Sequence, residues 1–477
     1  MRTFTFTQGR SNKFWNIELR GCGFTVVYGR IGTTGATLSK TFADEATARK
    51  AHDKLVQEKL AKGYVETTAK GRGVKEALEE AILENPDDLA AASAYADYLT
   101  EQGDPQGELI QVQLALEDEG RPAAERKELQ KREKALCKSY GAQWVGEWAR
   151  LTAATGPEGR GQLDFPGPKP SRFVRGMMAE VTIDQLNVAC ARALVRAPQT
   201  RFVRRLFLGG FAFEEEGEYE EGPDIDEDDE EEPARGVLRR WPQLAHLRVF
   251  QSGWTSDEEY GDFCHFQCHH SGWDVIHWVK QMPRLEELYL FAHAVPADRL
   301  FALPLPNLRV LQLYHSHYRY PLTKLAKNVT LTRLTHLLCH PHALSDDHAP
   351  IRLHGLRAVL RSRHLQSLTH LRLRLADFGD EGCEEVVASG ALKRLQVLDL
   401  RHGCVSDAGA KLLAACPDLK RLEHLDLSRN ELTEVGIAAL KATGVPLRAD
   451  YQHASTLRFD PETQAGEMQF LYEGDYE

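Results

Sequence analysis

The densest group of potential metal ligands in this 477-residue chain lies between Cys264 and His277. Cys264, Cys268 and His270 offer sulfur and nitrogen, the atoms that Zn²⁺ prefers, but a structural zinc ion takes four such ligands. The C-x3-C spacing differs from the usual C-x2-C knuckle, and no second matching pair follows. Histidines also occur freely in nearby segments, namely His315, His317, His340, His342 and His348. We therefore expect no metal and no cofactor.

Four carboxylates at helical spacing are the best candidates for acid–base chemistry: Asp97, Glu101, Asp104 and Glu108. Carboxylates in such segments more commonly cap helix ends or face solvent. The sequence also lacks the G-x-x-x-x-G-K-S/T, G-x-S-x-G and H-E-x-x-H motifs of nucleotide, acyl-transfer and zinc-hydrolase sites. We therefore expect a protein that is not an enzyme.

Basic and aromatic residues that suit a nucleic-acid backbone are concentrated near the N-terminus. Residues 1–72 hold 13 lysines and arginines against 6 aspartates and glutamates, a net charge of +7. Lysine and arginine neutralise phosphate groups, while an aromatic ring stacks on a base or sugar. The candidate residues for such binding are Lys13, Tyr28, Gly29, Arg30 and Lys40. The alternative is that Tyr28 and Arg30 only end a strand and cap a turn.

Short alternating segments must position these residues. TFTFTQ, KFWNIEL, FTVVYGRIG and ATLSKTF predict strands, and a lysine-rich helix follows from Asp44. Over residues 3–68 this order resembles the WGR domain of DNA-damage-responsive poly(ADP-ribose) polymerases and of bacterial proteins, with YGR in place of the naming tripeptide. The resemblance implies a small α+β domain over residues 1–70. It also implies that Tyr28 stacks at a nucleic-acid end and that Arg30 relays the signal to neighbouring domains.

Residues 74–150 have the periodicity of helices. VKEALEEAILENP places apolar residues at helical spacing before Pro86 ends that helix, a second helix begins near Asp88, and Pro105 starts a third. The segment YADYLTEQGDPQGELIQ resembles a small helical domain, called repeat-companion, that occurs beside repeat arrays in bacteria. The resemblance implies a short helical connector with no known chemistry.

The C-terminal half is built on an internal repeat of the form L-x-x-L-x-L. LTHLRL, LQVLDL and LEHLDL begin at Leu368, Leu395 and Leu422 and are spaced 27 residues apart. Weaker copies begin at Val203, Leu244, Leu285, Leu308 and Leu334. Two strong copies continue into a helix, so the array resembles the ribonuclease-inhibitor type of leucine-rich repeat. That resemblance implies an α/β solenoid shaped as a horseshoe.

The repeats also predict the remaining boundaries and a concave binding face. Residues 151–200 are predicted as linker and N-terminal cap, 201–455 as the solenoid and 456–477 as a tail. Because side chains alternate along a strand, the residues between and after the last two apolar positions face away from the leucines. These residues change from aromatic to basic along the array, which suits a protein partner. They include Arg248, Phe250, Tyr289, Phe291, Tyr314, His340, Arg372, Arg374 and Arg401.

An acidic insertion interrupts the array. Residues 214–232 hold 14 carboxylates and no basic residue, so the rest of the chain carries +3 although the whole chain carries −11. This low-complexity composition predicts disorder. Two roles are open: an insertion that only improves solubility, or an intramolecular competitor for the basic surfaces.

Composition limits the function classes. No apolar run approaches the roughly 20 residues of a membrane helix, the N-terminus lacks the apolar segment of a signal peptide, and the nine cysteines form no paired framework. We expect a cytoplasmic adaptor without membrane contact. Its WGR-like module contacts nucleic acid or a neighbouring protein, and its solenoid binds a protein partner. The alternatives are a scaffold that binds only proteins and an enzyme regulator comparable to ribonuclease inhibitor.

Overall fold

A computed structural model divides the chain into two compact units, Met1–Gly107 and Glu108–Glu477. The acidic insertion 214–232, residues 151–171 of the predicted linker and cap, and the segment 264–270 lie outside the residues that the structure describes. The described residues are 2–8, 11–30, 35–67, 73–146, 172–183, 185–209, 234–253, 272, 274–314, 320–341, 351–453, 457–459 and 466–468.

The N-terminal unit contains a five-stranded antiparallel sheet covered on one face by a helix. The apolar strand residues face that helix and form a core with its Val56. They are Phe4, Trp15, Ile17, Phe24 and Val26. The helix begins after Asp44, because this carboxylate accepts hydrogen bonds from the amide and the hydroxyl of Thr47 at 2.7 and 2.8 Å. The elements are β1 (Arg2–Gln8), β2 (Ser11–Arg20), β3 (Gly23–Arg30), β4 (Ala36–Thr41), α1 (Glu45–Ala61) and β5 (Val65–Thr67), with the sheet order β4-β3-β2-β1-β5.

Among the described residues, four helices lie between this sheet and the strand Arg172–Val174. They are α2 (Val74–Glu84), α3 (Leu89–Glu101), α4 (Pro105–Glu117) and α5 (Ala123–Val145). In the N-terminal unit, α2 packs on α3 and the buried hydroxyl of Tyr95 donates to the carboxylate of Glu79 at 2.8 Å. The unit boundary falls within α4, after Gly107, so the helices predicted as one connector are divided between the two units.

The C-terminal unit contains an eleven-stranded sheet whose strands follow chain order from β6 to β16. Neighbouring strands from β7 to β16 are parallel, and β6 pairs antiparallel with β7 at the edge where a cap is predicted. The strands are β6 (Arg172–Val174), β7 (Met177–Ile183), β8 (Arg205–Leu208), β9 (Val249–Ser252), β10 (Glu287–Phe291), β11 (Val310–Tyr314), β12 (His336–His340), β13 (His370–Leu373), β14 (Val397–Asp399), β15 (His424–Asp426) and β16 (Leu447–Arg448).

Helices alternate with these strands, as a strand-turn-helix repeat requires. They are α6 (Val188–Arg196), α7 (Ala234–Arg239), α8 (Val275–Val279), α9 (Ala297–Leu300), α10 (Leu322–Lys327), α11 (Leu353–Leu360), α12 (Gly379–Ala388), α13 (Asp407–Ala415) and α14 (Glu434–Lys441). In the predicted tail, β17 (Leu457–Phe459) and β18 (Gly466–Met468) form a separate antiparallel pair.

The repeat leucines form one core between the sheet and the helices. Leu371, Leu398 and Leu425 lie side by side on β13, β14 and β15 and are fully buried. One repeat cannot bury its leucines alone, so each depends on its neighbours. A polar contact adds to this dependence, because the carboxylate of Asp380 in α12 accepts the amides of Ser406 and Gly409 at the start of α13, at 2.9 and 2.8 Å.

The structure corrects the frame of one predicted repeat. The sequence pattern starts a copy at Leu244, but strand pairing places Phe250 opposite Leu288, so the copy starts at Leu247. LAHLRV has apolar residues at all three repeat positions, whereas LRVFQS ends on Ser252. The apolar spacing therefore favours the frame that the pairing of β9 with β10 excludes. The start of the repeat therefore moves from Leu244 to Leu247. Because side chains alternate along a strand, this odd-numbered shift places each residue of the repeat on the opposite side of the sheet.

This shift removes two residues from the predicted binding face. Phe250 packs in the leucine core, with its ring centroid 5.9 Å from that of Trp278. Arg248 precedes β9, and its Nε lies 3.5 Å from a carboxylate oxygen of Glu286. The placement of Arg248 and Phe250 on the concave-face rows was therefore wrong.

Candidate functional site

Strand pairing in the N-terminal sheet gathers basic and aromatic side chains on one face. Lys13 lies opposite Arg30, and Trp15 lies opposite Tyr28, in the β2–β3 pair. Alternate residues of a strand project to the same side, so all four share the face that α1 covers. Trp15 is buried in the core, whereas Tyr28 is 46% exposed. The apolar core therefore gives way to a basic, partly aromatic surface at this end of the strands.

These residues line a groove of about 790 Å³. Its lining consists of Asn12, Lys13, Phe14, Tyr28, Gly29, Arg30, Lys59 and Tyr64. Four of the five predicted nucleic-acid-binding residues thus lie together. The fifth, Lys40, lies on β4 outside the groove lining, with its Nζ 5.3 Å from the centroid of the Phe42 ring.

Lys59 brings a further cation to the groove from the last turn of α1. Its Nζ lies 5.3 Å from the centroid of the Trp15 ring and 4.9 Å from that of Tyr64, within cation–π distance. Burial lowers the pKa of Lys59, and the positive charges of Lys62 and Lys13 lower it further. An anion bound in the groove would oppose this repulsion and favour the charged form of Lys59.

Sequence reasoning missed Lys59 and Tyr64, although a signal was present. KFWNIEL places Lys13 on the same face as the apolar Trp15, and that face must be covered by the following helix. The end of the helix must then lie near one end of β2, where a lysine of its last turn meets Lys13. The phase of the helix, which selects Lys59 rather than Lys62 for the groove lining, depends on packing that the sequence alone does not give.

Gly35 shapes the groove wall immediately before β4. Its φ is +71°, a conformation that L-residues rarely adopt. A Cβ at this position would lie 2.5 Å from Cζ of Phe14 and 2.8 Å from the carbonyl oxygen of Tyr28. Glycine is therefore required for the chain to pass this close to Phe14, which lines the groove.

In the C-terminal unit, the sheet face opposite the leucine core, here called the second face, carries an aromatic cluster. The rings of Phe291 and Tyr314 stack with centroids 4.7 Å apart, and Leu338 and Tyr289 complete the cluster. Phe291, Tyr314 and Leu338 are buried. Tyr289 is half-buried, and its hydroxyl donates to the carboxylate of Glu287 at 2.8 Å.

Charged residues form a ladder on the second face across β13, β14 and β15, here called the Arg–Asp ladder. Arg374 donates from Nε and Nη2 to Oδ2 of Asp399 at 3.1 and 2.9 Å, and Arg401 donates to the same oxygen from Nη2 at 3.1 Å. Nε of Arg401 lies 3.2 Å from Oδ2 of Asp426. Each charge in the ladder thus faces an opposite charge.

The two carboxylates of the ladder respond differently to burial. Burial alone would raise the pKa of Asp399, but the charges and hydrogen bonds of Arg374 and Arg401 hold it well below its usual value. Burial, together with the neighbouring charge of Asp399, raises the pKa of Asp426. Asp399 is therefore the carboxylate that balances both arginines.

The remaining residues of the predicted protein-binding face differ in exposure. His340 is buried, with Nδ1 3.3 Å from Nη1 of Arg374. Arg372 on β13, Arg401 and Tyr289 are half-buried, while Phe291, Tyr314 and Arg374 are buried. Partner binding by these residues remains a prediction.

Among the described residues, no group of three or more histidine, cysteine, aspartate or glutamate side chains could hold a metal ion. The segment 264–270 lies outside this part of the chain, so the absence of zinc remains a prediction. No helix within the described ranges is long and apolar enough to cross a membrane.

Comparison with known proteins identifies the N-terminal domain. The family model of the WGR domain matches residues 1–71. The N-terminal domain is a WGR domain. The leucine-rich-repeat model matches residues 364–387, 393–414 and 421–441. The predicted WGR and leucine-rich-repeat families are therefore confirmed, and the repeat-companion resemblance of the helical segment remains a prediction. The two confirmed families suggest a binding or adaptor role, with protein binding by the repeats.

Two similar curated proteins each match a short part of this chain. Protein YehF of Escherichia coli is 42% identical over 66 residues, which is 14% of this chain and 24% of that protein. The uncharacterized protein YfeS of the same organism is 37% identical over 65 residues, which is 14% of this chain and 27% of that protein. The chain thus spans about a quarter of the length of these relatives.

Solved structures show a weaker similarity. A protein from Bacteroides fragilis is 17% identical over 98% of this chain and 99% of that chain, with a TM-score of 0.38. An internalin from Listeria monocytogenes is 16% identical over 54% of this chain and 63% of that chain, with a TM-score of 0.30. These similarities do not bear on function.

Proposed function

We propose that this protein is a non-enzymatic adaptor whose WGR domain binds nucleic acid through the groove while its leucine-rich repeats bind a protein partner. The observation that carries the proposal is the convergence of Lys13, Arg30 and Lys59 with the exposed ring of Tyr28 in one groove. Cations beside an aromatic ring match a phosphate backbone beside a base or sugar.

The electrostatics of the groove favour a polyanion. Within the described part of the chain, no carboxylate lies at ion-pair distance from Lys13 or Lys59. Burial lowers the pKa of Lys59, and repulsion by the positive charges of Lys62 and Lys13 lowers it further. A phosphate between these ammonium groups would be attracted to both and would release counterions from the nucleic acid. Binding through such contacts is strong at low salt and weak in base specificity.

Tyr28 supplies the aromatic part of the proposed contact. Its ring is 46% exposed at the rim of the groove, so a terminal base or a ribose can stack on it without displacing core residues. Stacking of this kind contributes about 1–3 kcal/mol per base. It is available at a strand end, which favours end-bearing over circular nucleic acid.

A binding titration with matched variants tests the proposal. The full-length chain is titrated into a labelled short DNA duplex at about 50 mM salt, where such binding is strongest. The double variant Lys13→Ala, Arg30→Ala should bind about tenfold or more weakly, the loss expected when charge-assisted hydrogen bonds are removed. Lys40→Ala removes a charge from the same domain but outside the groove lining, so its affinity should remain within about twofold. If the double variant and Lys40→Ala lose the same affinity, binding depends on the overall charge of the domain and not on the groove.

A further inference from the structure

Two histidines stack on the second face of the parallel sheet, in the middle of the repeats. His336 on β12 lies opposite His370 on β13, and the ring centroids are 3.9 Å apart with 20° between the planes. Both side chains are half-buried. The stack lies outside the leucine core and outside the Arg–Asp ladder.

Threonine hydroxyls contact Nδ1 of both rings and so bear on which ring nitrogen carries the hydrogen in the neutral form. The hydroxyl of Thr335 donates to the carbonyl of Arg309 at 3.0 Å and contacts Nδ1 of His336 at 2.8 Å. A hydroxyl has one hydrogen, so Nδ1 of His336 must be the donor in that contact. Thr369 repeats the arrangement, donating to a carbonyl at 3.3 Å and contacting Nδ1 of His370 at 2.9 Å. In the neutral rings, both Nε2 atoms therefore carry lone pairs.

Arg372 adds a cation next to this stack. It lies two residues beyond His370 on β13, on the same side of the strand, and is half-buried. The neighbouring Asp399 already accepts from Arg374 and Arg401. Within the described part of the chain, Arg372 has neither an ion-pair nor a hydrogen-bond partner.

The charges that face the two rings are predominantly positive. They come from Arg372 on β13, Arg309 immediately before β11 and Glu287 on β10. The carboxylate of Glu287 lies 3.4 Å from the guanidinium of Arg309, so these two charges largely offset each other. Arg372 is left as the uncompensated charge, which disfavours a divalent cation at the histidines and favours an anion.

We propose that His336, His370 and Arg372 form a proton-linked binding site for a carboxylate on an acidic segment of the protein partner. The proposal rests on the proposed protein-binding function of the repeats and specifies the chemistry of the partner. Arg372 supplies a permanent charge, and a protonated Nε2 supplies a second donor. The stacked rings are too close to carry two charges comfortably, so one proton is taken up for each bound carboxylate.

Proton uptake makes binding depend on pH in a defined direction. Burial lowers the pKa of both histidines, and neighbouring positive charge lowers it further, bringing His370 to about 4. A bound carboxylate raises the pKa of the ring that it contacts. Affinity should therefore rise as the pH falls through the bound-state pKa, by at most about tenfold per pH unit for one proton. The glutamate side chain, with a reference pKa of about 4.3, stays charged over most of this window.

The test uses the full-length chain and a labelled octaglutamate peptide, with a neutral peptide of equal length for comparison. Titrations at about pH 7.5 and about pH 5.5 cover the range in which histidine changes charge. The structure predicts tighter octaglutamate binding at the lower pH and a loss of about tenfold or more in Arg372→Met. The double variant His336→Gln, His370→Gln should retain Arg372-dependent binding but lose its pH dependence.

Two controls separate this site from other attractions. Arg205→Met removes a charge of the same sheet face, where Arg205 lies 3.0 Å from Glu180, and should leave affinity within about twofold. Arg30→Ala reports any capture of octaglutamate by the WGR groove. Because the substituted side chains lie outside the leucine core, circular dichroism and unfolding midpoints should match those of the unsubstituted chain.

Each outcome decides the proposal. Loss in Arg372→Met but not in Arg205→Met, with pH dependence removed by the histidine variant, supports it. Binding that is unchanged in Arg372→Met, or that is lost only in Arg30→Ala, overturns it. If the neutral peptide binds irrespective of Arg372, the repeats bind protein but the proposal of an acidic partner is wrong. If neither peptide binds at either pH, the result contradicts both the proposed carboxylate site and the proposed protein binding by the repeats.

Discussion

The WGR groove and the Arg–Asp ladder use positive charge in opposite ways. In the groove, the ammonium groups of Lys13 and Lys59 have no carboxylate at ion-pair distance within the described residues. In the ladder, Arg374 and Arg401 converge on one buried carboxylate, Asp399. The net charge calculated from composition does not distinguish the groove cations from the ladder cations. The position of the carboxylates separates charges that hold the fold from charges that are available to a ligand.

This difference has a simple physical origin. A buried charge is tolerated when an opposite charge and hydrogen bonds compensate for lost water, and removal of one member leaves the other uncompensated. An exposed cation keeps its water and contributes little to folding. The ladder should therefore respond to substitution through stability, and the groove through binding.

The largest expected effect is on the ladder. Asp399→Ala leaves Arg374 and Arg401 without their shared carboxylate, which should lower the free energy of unfolding by about 3–5 kcal/mol. Urea unfolding of the full-length chain measures this loss in the transition of the C-terminal unit. Arg372→Met, on the adjacent strand but without an ion-pair partner among the described residues, is the matched control and should change stability by no more than about 0.5 kcal/mol. Equal losses for the two variants would mean that ion pairing does not distinguish them.

The same carboxylate predicts a pH dependence. Its pKa is lower in the folded protein than in the unfolded chain, so its contribution is fully present above the unfolded value of about 3.9. The contribution is lost as the pH falls below that value towards the folded pKa. In Asp399→Ala, the acid-induced decrease in stability should therefore be smaller than in the unsubstituted chain. An identical acid profile would assign the decrease to other carboxylates.

A smaller effect is expected at the contact between successive repeat helices. The carboxylate of Asp380 accepts the amides of Ser406 and Gly409 and the hydroxyl of Ser406, the last at 2.6 Å. Asp380→Ala should lower stability by about 1 kcal/mol, the usual cost of losing a helix cap. Asp380→Asn retains one acceptor oxygen and should recover part of that loss. If the alanine variant is as stable as the unsubstituted chain, these bonds are replaced by water.

How much of this the sequence predicts differs between the two regions. Alternation in KFWNIEL and FTVVYGR is enough to bring Lys13, Tyr28 and Arg30 to one face, because each strand fixes its own sides. The Arg–Asp ladder joins residues of neighbouring repeats, so the pairing of Arg374 with Asp399 requires the register between strands. The misplacement of Phe250 has the same cause, since the apolar spacing within that repeat favours LAHLRV and only strand pairing selects LRVFQS. Burial of Phe291 and Tyr314 depends on tertiary packing and is likewise absent from the pattern.

Substitutions in the groove should weaken binding but leave the stability of the fold almost unchanged, in contrast to those in the ladder. Lys13→Ala and Arg30→Ala each change an exposed side chain and should alter the free energy of unfolding by no more than about 0.5 kcal/mol. Thermal or urea unfolding of the N-terminal unit within the full-length chain provides the measurement. A large loss of stability would place these side chains in the fold and make their effects on binding indirect.

The salt dependence of DNA affinity tests the central claim most directly, because it counts the phosphates that the groove neutralises. For the full-length chain, the logarithm of affinity should fall linearly with the logarithm of salt concentration. The slope should decrease by about one for each of Lys13→Ala and Arg30→Ala, and Lys40→Ala should leave it unchanged. No binding at about 50 mM salt, or the same slope in all four proteins, would contradict a nucleic-acid-binding groove.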